Sequence, residues 1–136
     1  MKSNLLYIWQ LPQNLLGLFV ILFTQAKNRN GQYSQIWISD KYCFGVSLGK
    51  YIIFGGIPSQ TDIKHEQGHQ KQSLYLGWFY LLIIGLPSVC GNLFDRIAHR
   101  KWTYQQRINW YYRQSWEHWA DVLGNVKRGQ KPLQNS

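Results

Sequence analysis

Between positions 33 and 54 the apolar residues form short runs, which are separated by residues typical of turns. The runs extend from Tyr33 to Ile38, from Tyr42 to Ser47 and from Tyr51 to Phe54. Ser39-Asp40-Lys41 and Leu48-Gly49-Lys50 lie between them and are typical of hairpin connections. We therefore predict a small antiparallel β-meander in this part of the chain.

The next segment, Gln60 to Leu76, is largely polar and contains no proline. Ser59 and Asp62 form an S-x-x-D signal for the start of a helix, and Gly77 is a plausible end. Gly68 is the weakest helix former inside, because glycine costs about 1 kcal/mol relative to alanine. We predict one helix, in which Gly68 is kept because the helix passes close to another backbone.

An apolar segment near the N-terminus, Leu11–Phe23, predicts a further helix within residues 1–27, with Pro12 in its first turn. A bilayer span needs about 20 apolar residues, and this segment is shorter. Phe23-Thr24-Gln25-Ala26 is a poor signal-peptide cleavage site. Three interpretations stay open: a buried core helix, a membrane-attached or short spanning helix, and a signal sequence.

A second apolar segment, Trp78–Ile84, follows the polar helix. Gly85 and Pro87 are expected to end it, which leaves it too short to span a bilayer, and Ser88–Ile97 is expected to form another short helix. We predict a buried or membrane-dipping helix here. The last residues, 127–136, are polar, and we expect a flexible tail.

Residues 65–69, His-Glu-Gln-Gly-His, form an H-E-x-x-H motif within the predicted helix. Residues four apart lie on one helix face, so His65 and His69 can offer two imidazole nitrogens to one metal ion. Glu66 lies about 100° around the helix and can reach a metal-bound water without being a ligand. Zinc lowers the pKa of such a water toward neutrality, and a carboxylate can then take its proton. The motif therefore predicts zinc as the cofactor and Glu66 as the catalytic base.

Catalytic zinc takes three protein ligands and one water, so the motif needs one more ligand. Glu117 is the candidate, because Ser115 can cap a short helix and Glu117 falls in its first turn. Asp121 follows on the same helix face. Its carboxylate can accept the free N–H of a zinc-bound histidine, and we expect that histidine to be His65.

Together the H-E-x-x-H motif and the downstream Glu117-x-x-x-Asp121 resemble the gluzincin metallopeptidases, which are thermolysin-like in their ligands. The H-E-x-G-H form is similar to membrane-linked bacterial zinc peptidases of the heat-shock type. A closer resemblance is to small uncharacterised bacterial proteins and toxin-associated domains. The shared motifs are Gln72-Ser73, Gly85-Leu86-Pro87-Ser88, Tyr111-Tyr112 and Trp116-Glu117. The resemblance covers residues 64–126 and implies a zincin-like core in a bacterial protein.

Composition argues against a chance match. The chain has six acidic residues, and its only two glutamates, Glu66 and Glu117, fall at the base and third-ligand positions. A length of 136 residues predicts a single domain, residues 1–136, with a small core. Cys43 and Cys90 form no C-x-x-C pair, and we expect buried or free thiols, although a disulfide stays open.

The net charge of +9 favours acidic partners, and residues 96–113 combine basic side chains with aromatic ones. Such a segment can contact phosphates and stack on bases, or it can lie at a membrane interface. An ordinary solvated loop with half-buried aromatics is the third interpretation. Of the two acidic partners, we expect an anionic membrane surface rather than nucleic acid.

We predict one α+β, zincin-like domain that hydrolyses peptide bonds of a polypeptide substrate, and we expect it to be membrane-associated. Hydroxyl, guanidinium or imidazole donors near Glu117 would stabilise the oxyanion of the reaction. The candidates are Tyr111, Tyr112, Arg113 and His118. The alternatives are a binding protein with structural zinc, where His99 or His118 supplies a fourth ligand, and an anionic-membrane or nucleic-acid binder that uses residues 96–113.

Overall fold

The computed structural model describes residues 2–28, 36–41 and 45–128 of the chain. This part contains six α-helices and four short strands. The helices are α1 (Lys2–Trp9), α2 (Leu11–Thr24), α3 (Gln60–Leu76), α4 (Leu86–Ala98), α5 (Tyr104–Tyr111) and α6 (Ser115–Leu123). The strands are β1 (Lys27–Asn28), β2 (Ile36–Ile38), β3 (Gly45–Leu48) and β4 (Tyr51–Phe54). The predicted α+β class is confirmed.

The four strands form one mixed sheet in the order β1-β2-β4-β3. β3 and β4 form the expected antiparallel hairpin, whose turn has Gly49 at φ 64°. The prediction of an antiparallel meander is wrong, because β2 pairs with β4 in parallel and β3 lies at the edge. All four residues of β4 are buried, and a central position between two strands suits such a strand. Residues 33–35 and 42–44 of the predicted strands, Cys43 among them, lie outside the described residues.

β4 divides the core into two clusters, because alternate side chains point to opposite faces of a sheet. Tyr51 and Ile53 pack with Ile21 of α2. Ile52 and Phe54 pack with Ile63 of α3. The sheet therefore fixes α3 on one face and α2 on the other.

Helix α3 has the predicted start and end. The Ser59 side chain accepts a hydrogen bond from the Asp62 N–H, and the Asp62 carboxylate accepts one from the Ser59 N–H. The helix ends at Gly77, whose φ of 52° favours glycine. A Cβ at Gly68 would overlap the backbone carbonyl of Ala120, so the predicted close approach of another backbone is confirmed.

The N-terminal helix is divided in two at Gln10, and Pro12 lies in the first turn of α2 as predicted. α2 ends at Thr24, where Gln25 takes the left-handed conformation. Lys27–Asn28 then form β1, which pairs with β2.

The prediction that Gly85 and Pro87 end a helix is wrong. A π-turn at Leu81–Gly85 continues directly into α4, with Pro87 near the start of α4. The wider π-turn makes room for the proline ring, which would otherwise collide with the carbonyl four residues earlier. The helix from Leu81 to Ala98 has a mean hydropathy of 1.4 and is long and apolar enough to cross a membrane.

Candidate metal centre

Helices α3 and α6 touch through two glycines. A Cβ at Gly68 would overlap the Ala120 carbonyl, and a Cβ at Gly124 would overlap the Lys64 carbonyl. The two backbones therefore lie closer than side chains would allow. This contact brings the histidine face of α3 against the first turn of α6, where Glu117 lies.

The three residues predicted to bind a metal converge on one point. The Nε2 atoms of His65 and His69 lie 3.1 Å apart. Oε2 of Glu117 lies 3.1 Å from the first and 3.2 Å from the second. All three side chains are buried. They are the one such group of His, Cys, Asp and Glu residues within the described part of the chain.

The hydrogen bonds of the two imidazoles leave both Nε2 lone pairs facing this point. Nδ1 of His65 donates to Oδ1 of Asp121 at 2.7 Å, and Nδ1 of His69 donates to Oε1 of Gln72 at 2.7 Å. The Gln72 amide is oriented by its own N–H bond to the Trp116 carbonyl. With each Nδ1 engaged in this way, neutral imidazoles would present two Nε2 lone pairs beside a carboxylate oxygen, and a proton or a metal ion is needed to hold these three atoms together.

The donor set fits zinc in chemistry and spacing. Two imidazole nitrogens and one carboxylate oxygen are the ligands of many catalytic zinc sites. With bonds of 2.0–2.1 Å, tetrahedral ligand atoms lie about 3.3 Å apart. The observed separations of 3.1–3.2 Å are close to that value.

Two hydroxyl groups hold the other oxygen of Glu117. Ser88 of α4 donates to Oε1 at 2.7 Å, and Tyr111 of α5 donates to the same atom at 3.1 Å. Four helices thus meet at this one carboxylate. The sequence gives no role to Ser88 beyond its place in the Gly85-Leu86-Pro87-Ser88 motif and at the start of a predicted helix.

Asp121 is held in place by Arg128. The guanidinium donates to Oδ2 at 2.6 Å and to Oδ1 at 2.9 Å, and it stacks on the Tyr112 ring at 3.4 Å. Tyr112 in turn contacts the His65 ring edge-to-face, with centroids 5.0 Å apart. Sequence reasoning missed Arg128, which falls in the predicted flexible tail, while residues 129–136 of that tail lie outside the described part.

Electrostatics favour a positive charge at this centre. Burial alone would lower the pKa of His65, but its hydrogen bonds to Asp121 and Glu117 raise that pKa to about 9. Burial would raise the pKa of Glu117, but the two imidazoles hold it well below its usual range. The site is thus built to retain a cation, whether a proton or a metal ion.

Glu66 is buried beside the three converging side chains. Its Oε2 has no hydrogen-bond partner among the described residues. Burial raises its pKa above the usual range for a carboxyl group. This buried, ionisable oxygen is therefore available to accept a hydrogen bond from a group that enters the site.

A cavity of about 850 Å³ contains these residues. Its walls include edge strand β3, part of α2 and the start of α4, together with Tyr111 and Tyr112. The structure thus brings two of the four candidate oxyanion donors to the site. It does not bring Arg113 or His118, which are exposed and are not part of the cavity wall.

Neither candidate for a fourth ligand belongs to the converging group. His99 hydrogen-bonds Asp95 at 3.0 Å and stacks on Trp102 at 3.7 Å, and His118 is exposed. Within the described residues, the centre therefore has three candidate protein ligands.

Comparison of the chain with protein-family models, curated proteins and solved structures finds no match.

Proposed function

We propose that the protein is a zinc-dependent metallopeptidase, with His65, His69 and Glu117 as the metal ligands and Glu66 as the general base. The convergence of three ligand atoms within 3.1–3.2 Å carries this proposal. Three protein ligands leave the fourth position of a tetrahedral metal for water, as in catalytic rather than structural zinc sites.

Zinc, when bound, supplies a Lewis acid and lowers the pKa of water at the site toward neutrality. Glu66 accepts the proton of this water at its unpartnered Oε2 and passes it to the leaving amine as the peptide bond breaks. The raised pKa of Glu66 makes it a stronger base for the first step, and a general base works best when its pKa lies near the operating pH.

Both tyrosines line the cavity, and they differ in the hydrogen bonding of their hydroxyl groups. Burial raises the pKa of Tyr112 to about 12, so its hydroxyl keeps its proton at neutral pH. The described residues show no hydrogen bond from that hydroxyl, whereas the Tyr111 hydroxyl already donates to Glu117. We therefore assign oxyanion stabilisation to Tyr112 and the positioning of Glu117 to Tyr111.

Edge strand β3 supports an extended polypeptide as the substrate. Its outer edge is unpaired within the described sheet, and it forms part of the cavity wall. Such an edge can pair with a further strand through main-chain hydrogen bonds. Gly45 lies beside Glu66, since a Cβ at that position would be 2.9 Å from Oε1. A polypeptide paired with β3 would therefore pass next to the proposed base.

The test combines zinc content, by elemental analysis, with cleavage of casein by the purified full chain. We expect one zinc per chain, and cleavage that a chelator abolishes. Glu66→Gln should keep the zinc and lose about 10²–10⁴-fold in cleavage rate, because it removes only the base.

A pair of histidine variants supplies the matched control. His69→Ala should lose the zinc, whereas His118→Ala replaces an exposed histidine outside the cavity and should retain it. Absence of zinc from the wild type after incubation with the metal would contradict the metal centre. Full cleavage by Glu66→Gln would contradict the mechanism.

A further inference from the structure

The burial of helix α2 is inverted relative to that of a helix in a water-soluble protein. Its polar residues Gln13 and Asn14 are 0% exposed, while Phe19 and Leu22 are 63% and 77% exposed. The Gln13 amide donates to the Ser73 hydroxyl and to the Gly77 carbonyl. Polar side chains thus bond inside the protein while apolar ones face outward, which is the arrangement of helices in lipid.

The helix from Leu81 to Ala98 repeats this pattern. Asp95 is its one buried polar residue among those described, and it pairs with Arg107 at 2.7 Å. Only 11% of the helix is buried inside the protein. Its exposed apolar residues include Leu82, Ile83, Leu86, Val89, Leu93 and Ile97. A core helix of a soluble protein would be mostly buried. A position in a protein core therefore does not explain the hydropathy of the helix Leu81–Ala98.

Two tryptophans join α1 to the end of α3 and to the turn that follows it. The Trp9 indole donates to the Leu74 carbonyl at 2.9 Å, and the Trp78 indole donates to the Ile8 carbonyl at 2.8 Å. Both rings remain exposed although both N–H groups are bonded. An indole in contact with lipid needs an internal partner for its N–H, because hydrocarbon offers none.

Basic and aromatic residues follow the ends of the two apolar helices. Lys27 follows α2, and Arg100, Lys101 and Trp102 follow α4. All four side chains are exposed. Lysine, arginine and tryptophan gather where a membrane meets water, and cations there are attracted to anionic lipid.

We propose that the outward sides of α2 and of the helix Leu81–Ala98, here called the apolar face, are embedded in the hydrocarbon of a lipid bilayer. The inverted burial identifies hydrocarbon as the material that covers the apolar face. The flanking cations identify an anionic membrane as the source of this hydrocarbon. The inference does not depend on a metal at the histidine site.

The test uses the full chain, reconstituted into vesicles of phosphatidylcholine with or without phosphatidylglycerol and floated on a density gradient. We expect the protein to float with both vesicles, more completely with the anionic ones, and to stay with them in 1 M NaCl and at alkaline pH. Cys90 is exposed on α4 and serves as a probe. A water-soluble maleimide should label Cys90 slowly in vesicles and rapidly after solubilisation and denaturation. Peptide mass spectrometry measures the labelled fraction of Cys90.

A pair of valines supplies the matched control. Val89 on the apolar face and Val122 on α6 are 59% and 61% exposed. Leu22→Arg combined with Val89→Arg should lower retention on vesicles by tenfold or more in alkaline washes, because arginine is costly in hydrocarbon. Val122→Arg should leave retention unchanged.

Three outcomes would overturn the proposal. Release by salt alone would show peripheral, electrostatic binding. A monodisperse monomer in the absence of lipid and detergent would show that the face tolerates water. A lipid-free dimer with Cys90 protected would show that a second copy covers the face.

Discussion

Gly68 of α3 lies directly against the backbone carbonyl of Ala120 of α6, so that a Cβ at position 68 would overlap the oxygen. The relationship links the motif that carries two ligand candidates to the helix that carries the third. Only glycine permits this spacing between the two backbones. The convergence of the three candidates therefore depends on the absence of a Cβ at position 68.

Gly68→Ala should force α3 and α6 apart and move Glu117 away from the histidines. We expect loss of zinc binding, or a fall of at least 100-fold in zinc affinity, together with a lower unfolding temperature. Zinc titration by calorimetry and thermal unfolding by tryptophan fluorescence, both in detergent, provide the measurements. Gly91→Ala is the control, because its nearest contact would be an ordinary one, at 3.7 Å from Trp116. Unchanged zinc affinity in Gly68→Ala would show that the helix contact does not set the ligand geometry.

Asp121→Ala should weaken zinc binding by roughly 10–100-fold, because the His65 Nδ1–H would lose the carboxylate that orients it. Arg128→Gln leaves that carboxylate in place but removes its guanidinium partner, so a smaller loss is expected. Excess zinc should restore activity to both variants if metal loss is the defect. Equal zinc affinity in wild type and Asp121→Ala would refute the orienting role.

Tyr111→Phe and Tyr112→Phe should separate positioning from catalysis. Tyr112→Phe should lower kcat by about 10²-fold with zinc content unchanged, because it removes a donor to the oxyanion. Tyr111→Phe should chiefly weaken zinc binding, because it removes a hydroxyl that holds Glu117. The measurements are zinc content and steady-state cleavage of a fluorogenic peptide from casein. The reverse pattern would exchange the two assignments.

The zinc-free protein should lose stability as the pH rises from about 6.5 to about 9. The folded state holds a proton on His65 more tightly than the unfolded state does, since the pKa rises from 6.5 to about 9. Its stabilisation is complete below the unfolded pKa and disappears as the pH passes the folded one. With zinc bound, the metal takes the place of that proton, so zinc affinity should rise over the same range.

Thermal unfolding in detergent at pH 6.5 and pH 9, with chelator and with zinc, tests this linkage. The chelated protein should have the lower unfolding temperature at pH 9, and the stabilisation by zinc should be larger there. A chelated protein whose unfolding temperature rises over this interval would contradict the expected protonation of His65.

The placing of the metal-ligand candidates could be predicted because local rules govern it. Helix periodicity puts His65 and His69 on one face, and a capped helix start puts Glu117 in a first turn. The contact between these two helices is a tertiary contact, and Gly68 was the one local signal that predicted it. Ser88 was out of reach of such rules, because Pro87 predicted a helix end where a π-turn carries the helix onward.

The order of the strands could not be predicted from their pattern. The three runs of apolar residues indicate strands, but β4 is buried on both faces and takes the centre of the sheet. Which strand is covered on both faces depends on how the helices α2 and α3 pack against the sheet, and the pattern of the strand itself does not specify that packing. Arg128 was not predicted for a similar reason. It lies in a polar segment, and its role depends on its contacts with Asp121 and Tyr112.

The placement of the ligand candidates on either side of the helix Leu81–Ala98 has a consequence for biosynthesis. His65 and His69 leave the ribosome before this apolar helix, and Glu117, Asp121 and Arg128 leave it afterwards. A nascent chain therefore carries two histidines without their carboxylates while its apolar helix is already emerging. The three ligand candidates can therefore come together only after the apolar segments and α6 have emerged, so the order of synthesis delays their convergence.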